Sequence, residues 1–431
     1  MALECFPVEI LEQIVRDERV SYRDLSQFIK TCRRFKGVGD NNDIWMLKFQ
    51  MAFPDLIDLV PNSIALNVQW KREVQKRLQV GSRVGNEVSI MSSKFFSKTE
   101  LSSADFRWFD ELMLPNDRSQ TFDHLYIIDE LANILRGNDP NTDLTRKHYA
   151  EKCLKHVKHR LIKPECSAFL EDGNSLTYEA ALVLVSQWCQ PSINVTKQSV
   201  SNQLDHLASS TLAHLLEKHP EHPIFSMIRT EQEDRSKVNL VKLPKLPKPL
   251  TSNIWNSQDS RLILDSANHV LFTIEGFTGN SDDYYNADNS FIDIVLVKKL
   301  GIPITLCMLY SCVLGRLGVC CLPVNFPGHF LLKWQEHPEA PEESNQFTLI
   351  DAFDGGRQLT GAQARERSSH LVPQETSYQV ATPLAVAQRM LRNLINIGRK
   401  EIYSMFMLDS HNLQELIDPG LTVWVTLHMA C

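Results

Sequence analysis

Residues 301 to 353 contain a hydroxyl, a thiol, an imidazole and a carboxylate, spaced so that separate elements would carry them. Gly301-Ile302-Pro303 opens an apolar stretch, with Thr305 and Cys307 in its first turns. His329 follows Pro327-Gly328, and Asp351 lies in the strand-like run FTLIDAF. A nucleophile at a helix start, a base on one strand and an orienting carboxylate on another is the logic of covalent acyl transfer. Yet Thr305 stands where a thiol is expected. An internal threonine lacks the N-terminal amine that activates threonine nucleophiles, so its hydroxyl is a poor one. Cys307 lies two residues further, about 200° around a helix. If Thr305 faces His329, Cys307 points into the core, where free cysteine commonly resides. His329 and Asp351 are then expected to form a hydrogen-bonded pair that fixes two strands.

The surrounding helices and strands can be read locally. FIDIVLVKKL (291–300) has helix periodicity, with Ile292, Val295, Leu296 and Leu300 inward. Gly301 ends that helix and Pro303 opens the next. The stretch from Thr305 to Leu317 is apolar nearly all round, so it is expected to be a central, buried helix. HFLLKW (329–334) and FTLIDAF (347–353) read as strands. Upstream, GFTGN and DYYNADN supply turn formers and Asn and Asp side chains able to cap helices.

The first 54 residues read as a separate small unit of three short helices. Pro7 suits a first helical turn, and Ile10, Leu11, Ile14 and Val15 form one stripe. A second segment starts near Ser21 and carries Leu25, Phe28 and Ile29. CRRF (32–35), a Gly/Asp/Asn-rich break over 37–42, and IWMLKF with Trp45 follow. A unit this small buries little surface, which leaves an apolar face for a partner.

Residues 55–240 read as a helical region, clearest in WKREVQKRLQV, DHLYIIDELANIL, HYAEKCLKHVKHRLI and YEAALVLVSQWC. His148, His156 and His159 tempt a metal reading, but the lysines around them point to a solvated basic helix face. VKLPKLPKPL (241–250) reads as an extended strap, and 241–259 as a linker. A second compact domain is expected over 260–400, with an atypical tail over 401–431.

Bulk properties exclude several classes. A net charge of −7 argues against a general nucleic-acid-binding surface. Ten cysteines, irregularly placed, read as reduced intracellular thiols. The acidic N-terminus does not resemble a signal peptide, and the apolar run from Ile302 to Leu314 is too short to span a membrane. No metal or cofactor is expected.

Two resemblances sharpen this reading. FPxEIL, DL, CRRF and IW, in that order, resemble the F-box, a three-helix module. The resemblance implies docking onto a Skp-type adaptor, and through it a cullin–RING ubiquitin ligase, by Phe6, Pro7, Ile10, Leu11, Leu25 and Trp45. FxGN, YYNxxNS, LGIPI, LGV, PGHF and IDAF, in order over about 260–359, resemble the Sir-B-type branch of the transglutaminase-like superfamily. That implies the fold shared with papain-like thiol enzymes, a core helix packed on an antiparallel sheet, and hence an α+β, mostly helical chain. It also implies that Thr305, His329 and Asp351 hold degenerate triad positions, with Cys307 as an alternative nucleophile. The pairing of the two modules resembles the F-box only protein 21 family, whose members continue into a YccV-like module that this chain is expected to lack. The implied function is that of a substrate-recognition subunit for an unidentified protein target, without chemistry of its own. The alternative is a thiol-dependent amidase or transglutaminase.

Overall fold

The computed structural model describes residues 5–57, 68–98, 101–113, 123–137, 143–230, 252–324, 326, 328–336, 347–367 and 378–406, with residues 243, 246 and 250. Helices dominate and the strands are few and short, so the protein is α+β and mostly helical. Among the described residues no helix is long and apolar enough to cross a membrane. The chain divides into two compact units, Met1–Leu161 and Ile162–Cys431.

The first unit opens with four helices where the sequence predicted three: α1 (Val8–Arg16), α2 (Tyr22–Thr31), α3 (Arg33–Gly39) and α4 (Asn42–Ala52). A capping box starts α2: Ser21 Oγ accepts from the Asp24 amide and the Asp24 carboxylate accepts from the Ser21 amide. CRRF forms a helix of its own because Cys32 Sγ caps it at the Phe35 amide. The glycines read as a break lie within and at the end of α3. Gly39 is required by close packing, since a Cβ there would stand 2.1 Å from Ile29 Cγ2. The Gly39 carbonyl also accepts from the indole of Trp45 at 2.6 Å.

The unit continues through α5 (Pro54–Ile57), α6 (Trp70–Phe95), α7 (Arg107–Met113), α8 (Asp123–Arg136) and the first part of α9 (Leu144–Glu171). Its core joins Leu11, Leu25, Trp45 and Phe49 to Trp70, Val84, Phe109 and Ile127. A buried guanidinium ties α6 to α8: Arg77 pairs with Asp129 at 2.5 Å and Glu130 at 3.0 Å. On α9, His156 is not the solvated residue expected. Its ring stacks on Phe106 at 4.4 Å and its Nε2 lies 3.5 Å from Asp110, because Val157 and Cys153 turn that face of the helix inward. Among the described residues no group of three or more candidate ligands is placed to hold a metal ion.

The second unit contains α10 (Tyr178–Cys189), α11 (Lys197–Lys218), α12 (Pro223–Thr230), α13 (Ser257–Asn268), α14 (Ile292–Lys298), α15 (Pro303–Gly315), α16 (Gly361–Arg367) and α17 (Pro383–Phe406). Two parallel strands of two residues, β1 (Thr278–Gly279) and β2 (Leu300–Gly301), pair beside α14. The main sheet is an antiparallel meander, β3 (Cys321–Val324), β4 (Leu331–Trp334), β5 (Thr348–Asp351) and β6 (Arg357–Leu359), in that spatial order. Register places Leu332 opposite Ile350 and Asp351 opposite Arg357.

Every residue of α15 from Pro303 to Tyr310 is buried, and the helix packs on α11, on the sheet and on the turn after β5. These units fall elsewhere than the limits 55–240 and 260–400 expected from sequence. Leu182, Leu204 and Leu212 of α10 and α11 share one hydrophobic cluster with Leu306, Leu332 and Ile350. The expected helical middle is therefore divided between the two units. Most of the proline-rich strap lies outside the described residues, but the rest of the 241–259 linker is anchored. Asn253 donates to the Gln335 carbonyl and accepts from the Cys320 amide, and the Trp255 indole donates to the Leu317 carbonyl.

Candidate functional site

The turn between β3 and β4 and the end of β5 bring His329 and Asp351 together. His329 Nε2 lies 2.9 Å from Asp351 Oδ1. Asp351 is fully buried and its carboxylate also accepts from the Phe353 and Asp354 amides, which caps the turn that follows β5. A carboxylate only accepts, so Nε2 donates in this pair. The ring is about one-fifth exposed and meets Phe353 edge-on, with centroids 6.0 Å apart. The site thus holds an oriented imidazole.

Thr305 does not face that imidazole. It is fully buried in the first turn of α15, and its hydroxyl reaches the Asn289 carbonyl at 2.5 Å and the Ile302 carbonyl at 3.2 Å. Asn289 in turn donates to the Asp283 carbonyl at 2.7 Å and accepts from Asn280 at 3.0 Å. Thr305, Asn289 and Asn280 form a clasp that ties the 280–290 loop to the start of α15. The sequence showed the asparagines as turn and cap formers, but nothing local linked them to Thr305.

Cys307 is turned the other way from the expected orientation. Its Sγ lies 3.4 Å from the Phe330 carbonyl, next to His329 in the chain. The Ala352 amide, next to Asp351, also bonds to the sulfur. The thiol therefore lies against the strands that carry the imidazole–carboxylate pair. It is fully buried, and burial pushes its pKa far above the ordinary thiol range. The Asp351 charge adds to that rise, while the Ala352 amide and Arg389 oppose it only in part. An active thiol needs a thiolate and access to substrate. Burial opposes both at Cys307.

Arg389 of α17 borders the same region, donating to the Phe326 carbonyl at 3.1 Å with its guanidinium 5.5 Å from the Phe330 ring centroid. The six residues expected on the adaptor-docking face separate into two groups. Pro7 and Ile10 are exposed and Phe6 is half-buried, while Leu11, Leu25 and Trp45 lie inside the core of the first unit. They are withdrawn because α1, α2 and α4 close over one another, and the inward stripe of each helix fills that closure.

The sequence has counterparts among known proteins. Residues 198–392, within the second unit, match the transglutaminase-like superfamily. No solved structure matches the chain. F-box only protein 21 from Homo sapiens is 28% identical over 401 residues, 92% of this chain and 58% of that protein. The Mus musculus protein of that name is 29% identical over the same length. A UPF0162 protein from Xylella fastidiosa (strain 9a5c) is 35% identical over 144 residues, 32% of this chain and 49% of that protein. Over most of its length the chain is similar to F-box only protein 21. It spans 58% of the length of the human relative.

Proposed function

We propose that the chain is the substrate-recognition subunit of an SCF-type (Skp–cullin–F-box) E3 ubiquitin ligase, acting inside the cell. Its first unit recruits a Skp-type adaptor, and its transglutaminase-like domain binds target protein without covalent chemistry. The observation that carries this reading is the outward face of α1. Val8, Ile10 and Ile14 are 43%, 38% and 38% exposed, next to Pro7, while Leu11 and Val15 fill the core. An amphipathic helix that shows three aliphatic side chains on its solvent side is suited to a second protein surface. The similarity to F-box only protein 21 supports the same assignment.

The test is co-purification of the full chain with a Skp-type adaptor, for wild type and Ile10→Asp. A carboxylate buried in that interface without a partner costs several kcal/mol, so the adaptor should be lost. Retention of the adaptor by Ile10→Asp would falsify the docking face.

The second reading is a thiol-dependent amidase or transglutaminase using Cys307 with His329 and Asp351. The approach of Cys307 to Phe330 and Ala352 favours it, and the burial of the thiol opposes it. Glutamine–amine transfer that is abolished by Cys307→Ser would establish it in place of the pseudoenzyme.

A further inference from the structure

Beside the buried pair, a line of aromatic rings reaches the surface of the second unit. Tyr285 and Tyr284 meet edge to face at 5.3 Å, Tyr284 meets Phe353 at 6.3 Å, and Phe353 meets His329 at 6.0 Å. Tyr285 is 56% exposed and Tyr284 is 36% exposed, unusual positions for large rings with a core within reach. The ridge is held in place. Asn289 grips the Asp283 and Tyr284 carbonyls, and Gly279 leaves room for Phe353, since a Cβ there would stand 2.5 Å from that ring.

Charge decides what such a ridge fits. The neighbouring carboxylates Asp288, Asp354 and Glu275 are each paired with a cation, Lys298, Arg357 and Lys299 respectively. Asp282 and Asp283, immediately before the tyrosines, are exposed and have no cationic partner among the described residues. Arg389, whose charge Tyr284 feels, is committed inward to the Phe326 carbonyl and the Phe330 ring. Tyrosine faces attract cations, and carboxylates beside them add to the attraction.

We propose that this ridge receives an extended segment of a target protein carrying Lys or Arg, which stacks on Tyr284 and Tyr285 against Asp282 and Asp283. The proposal rests on the substrate-receptor reading and specifies the chemistry of the target. Rings held at fixed positions contribute contact area at little entropic cost.

The experiment uses the full chain and fluorescence anisotropy at physiological salt. The probes are a labelled peptide alternating lysine with alanine and a control alternating glutamate with alanine. Wild type should bind the lysine peptide and ignore the glutamate one. Tyr284→Ala with Tyr285→Ala, and separately Asp282→Asn with Asp283→Asn, should each weaken binding at least about tenfold. Glu217→Gln with Glu221→Gln changes the same charge at an exposed site elsewhere and should leave affinity unaltered. Tyr285→Ala alone spares the Tyr284–Phe353 contact and should weaken binding about threefold with an unchanged melt. The proposal is overturned if wild type does not bind. It is equally overturned if the tyrosine variants bind as wild type, or if the remote pair weakens binding as much as the ridge pair, which would mean attraction to net charge alone. Adaptor co-purification is read on the same variants and should be unaffected. Loss of the adaptor in Ile10→Asp with peptide binding intact separates failure of the ridge from failure of the ligase reading.

Discussion

Helices α1 and α15 are both rich in aliphatic side chains, and they use them in opposite ways. α1 keeps Leu11 and Val15 inside and shows Val8, Ile10 and Ile14 to solvent, although a core was available to take them. α15 buries every residue from Pro303 to Tyr310, including the hydroxyl of Thr305 and the thiol of Cys307, the two candidate nucleophiles. Exposed aliphatic surface is retained where a partner covers it. Buried reactive groups are retained where they pack or bond. On the proposed reading, the first unit's surface serves recognition and the second unit's central helix serves architecture.

The largest effect that can break this contrast is the reactivity of Cys307. Raising a thiol pKa by one unit removes nine-tenths of its thiolate, and burial denies reagent access besides. Iodoacetamide should modify Cys307 at least about a hundredfold more slowly than exposed Cys5, with the difference vanishing in denaturant. Mass spectrometry of tryptic peptides reads both. Early labelling of Cys307 in the native protein would restore the enzyme reading.

Neighbouring residues of α1 give the next contrast. Leu11→Ala empties a fully buried site and should cost about 3 kcal/mol of stability in urea denaturation. Ile10→Asp, one residue earlier and exposed, should cost about 0.5 kcal/mol yet abolish adaptor binding. If the two substitutions destabilise equally, α1 has no free face.

In the second unit, Asp351→Ala removes the acceptor for His329 and for two backbone amides at once. It should cost about 3 kcal/mol, more than the roughly 1–2 kcal/mol expected for His329→Ala, which leaves the amide bonds in place. Equal stability of Asp351→Ala and wild type would remove the structural role of the pair.

Much of this arrangement could be read along the chain. Pro303 marked the start of α15, although its expected end at Leu317 lies two residues beyond Gly315, and the strand-like run FTLIDAF holds β5. What could not be read was rotation. An amphipathic helix announces its buried side, but α15 is apolar on every side, so no pattern specifies which residues face the strands. That is why Thr305 was expected toward His329 and Cys307 away from it, whereas the structure has Thr305 on Asn289 and Cys307 against Phe330. The helices α10 and α11 carry ordinary periodicity, and nothing local says that their apolar stripes join α15 instead of the preceding helices. Leu25 and Trp45 matched a docking motif, but a motif records residue type and spacing, and it does not record that α1, α2 and α4 close over those side chains.

The smallest effect tests the clasp. Thr305→Val keeps the β-branched shape and the packing while deleting the hydroxyl that bonds the Asn289 carbonyl. The carbonyl then loses its donor in a buried setting, and a loss of about 1 kcal/mol is expected. Asn289→Ala removes the side-chain bonds to Asp283, Tyr284 and Asn280 and should cost somewhat more, about 2 kcal/mol. Because Thr305 and Asn289 belong to one network, the double substitution should cost less than the two single losses added together. Strict additivity in that cycle would mean that the residues act apart. Thr305 would then be a simple helix-start residue, and the hydroxyl at the head of α15 would again need another explanation.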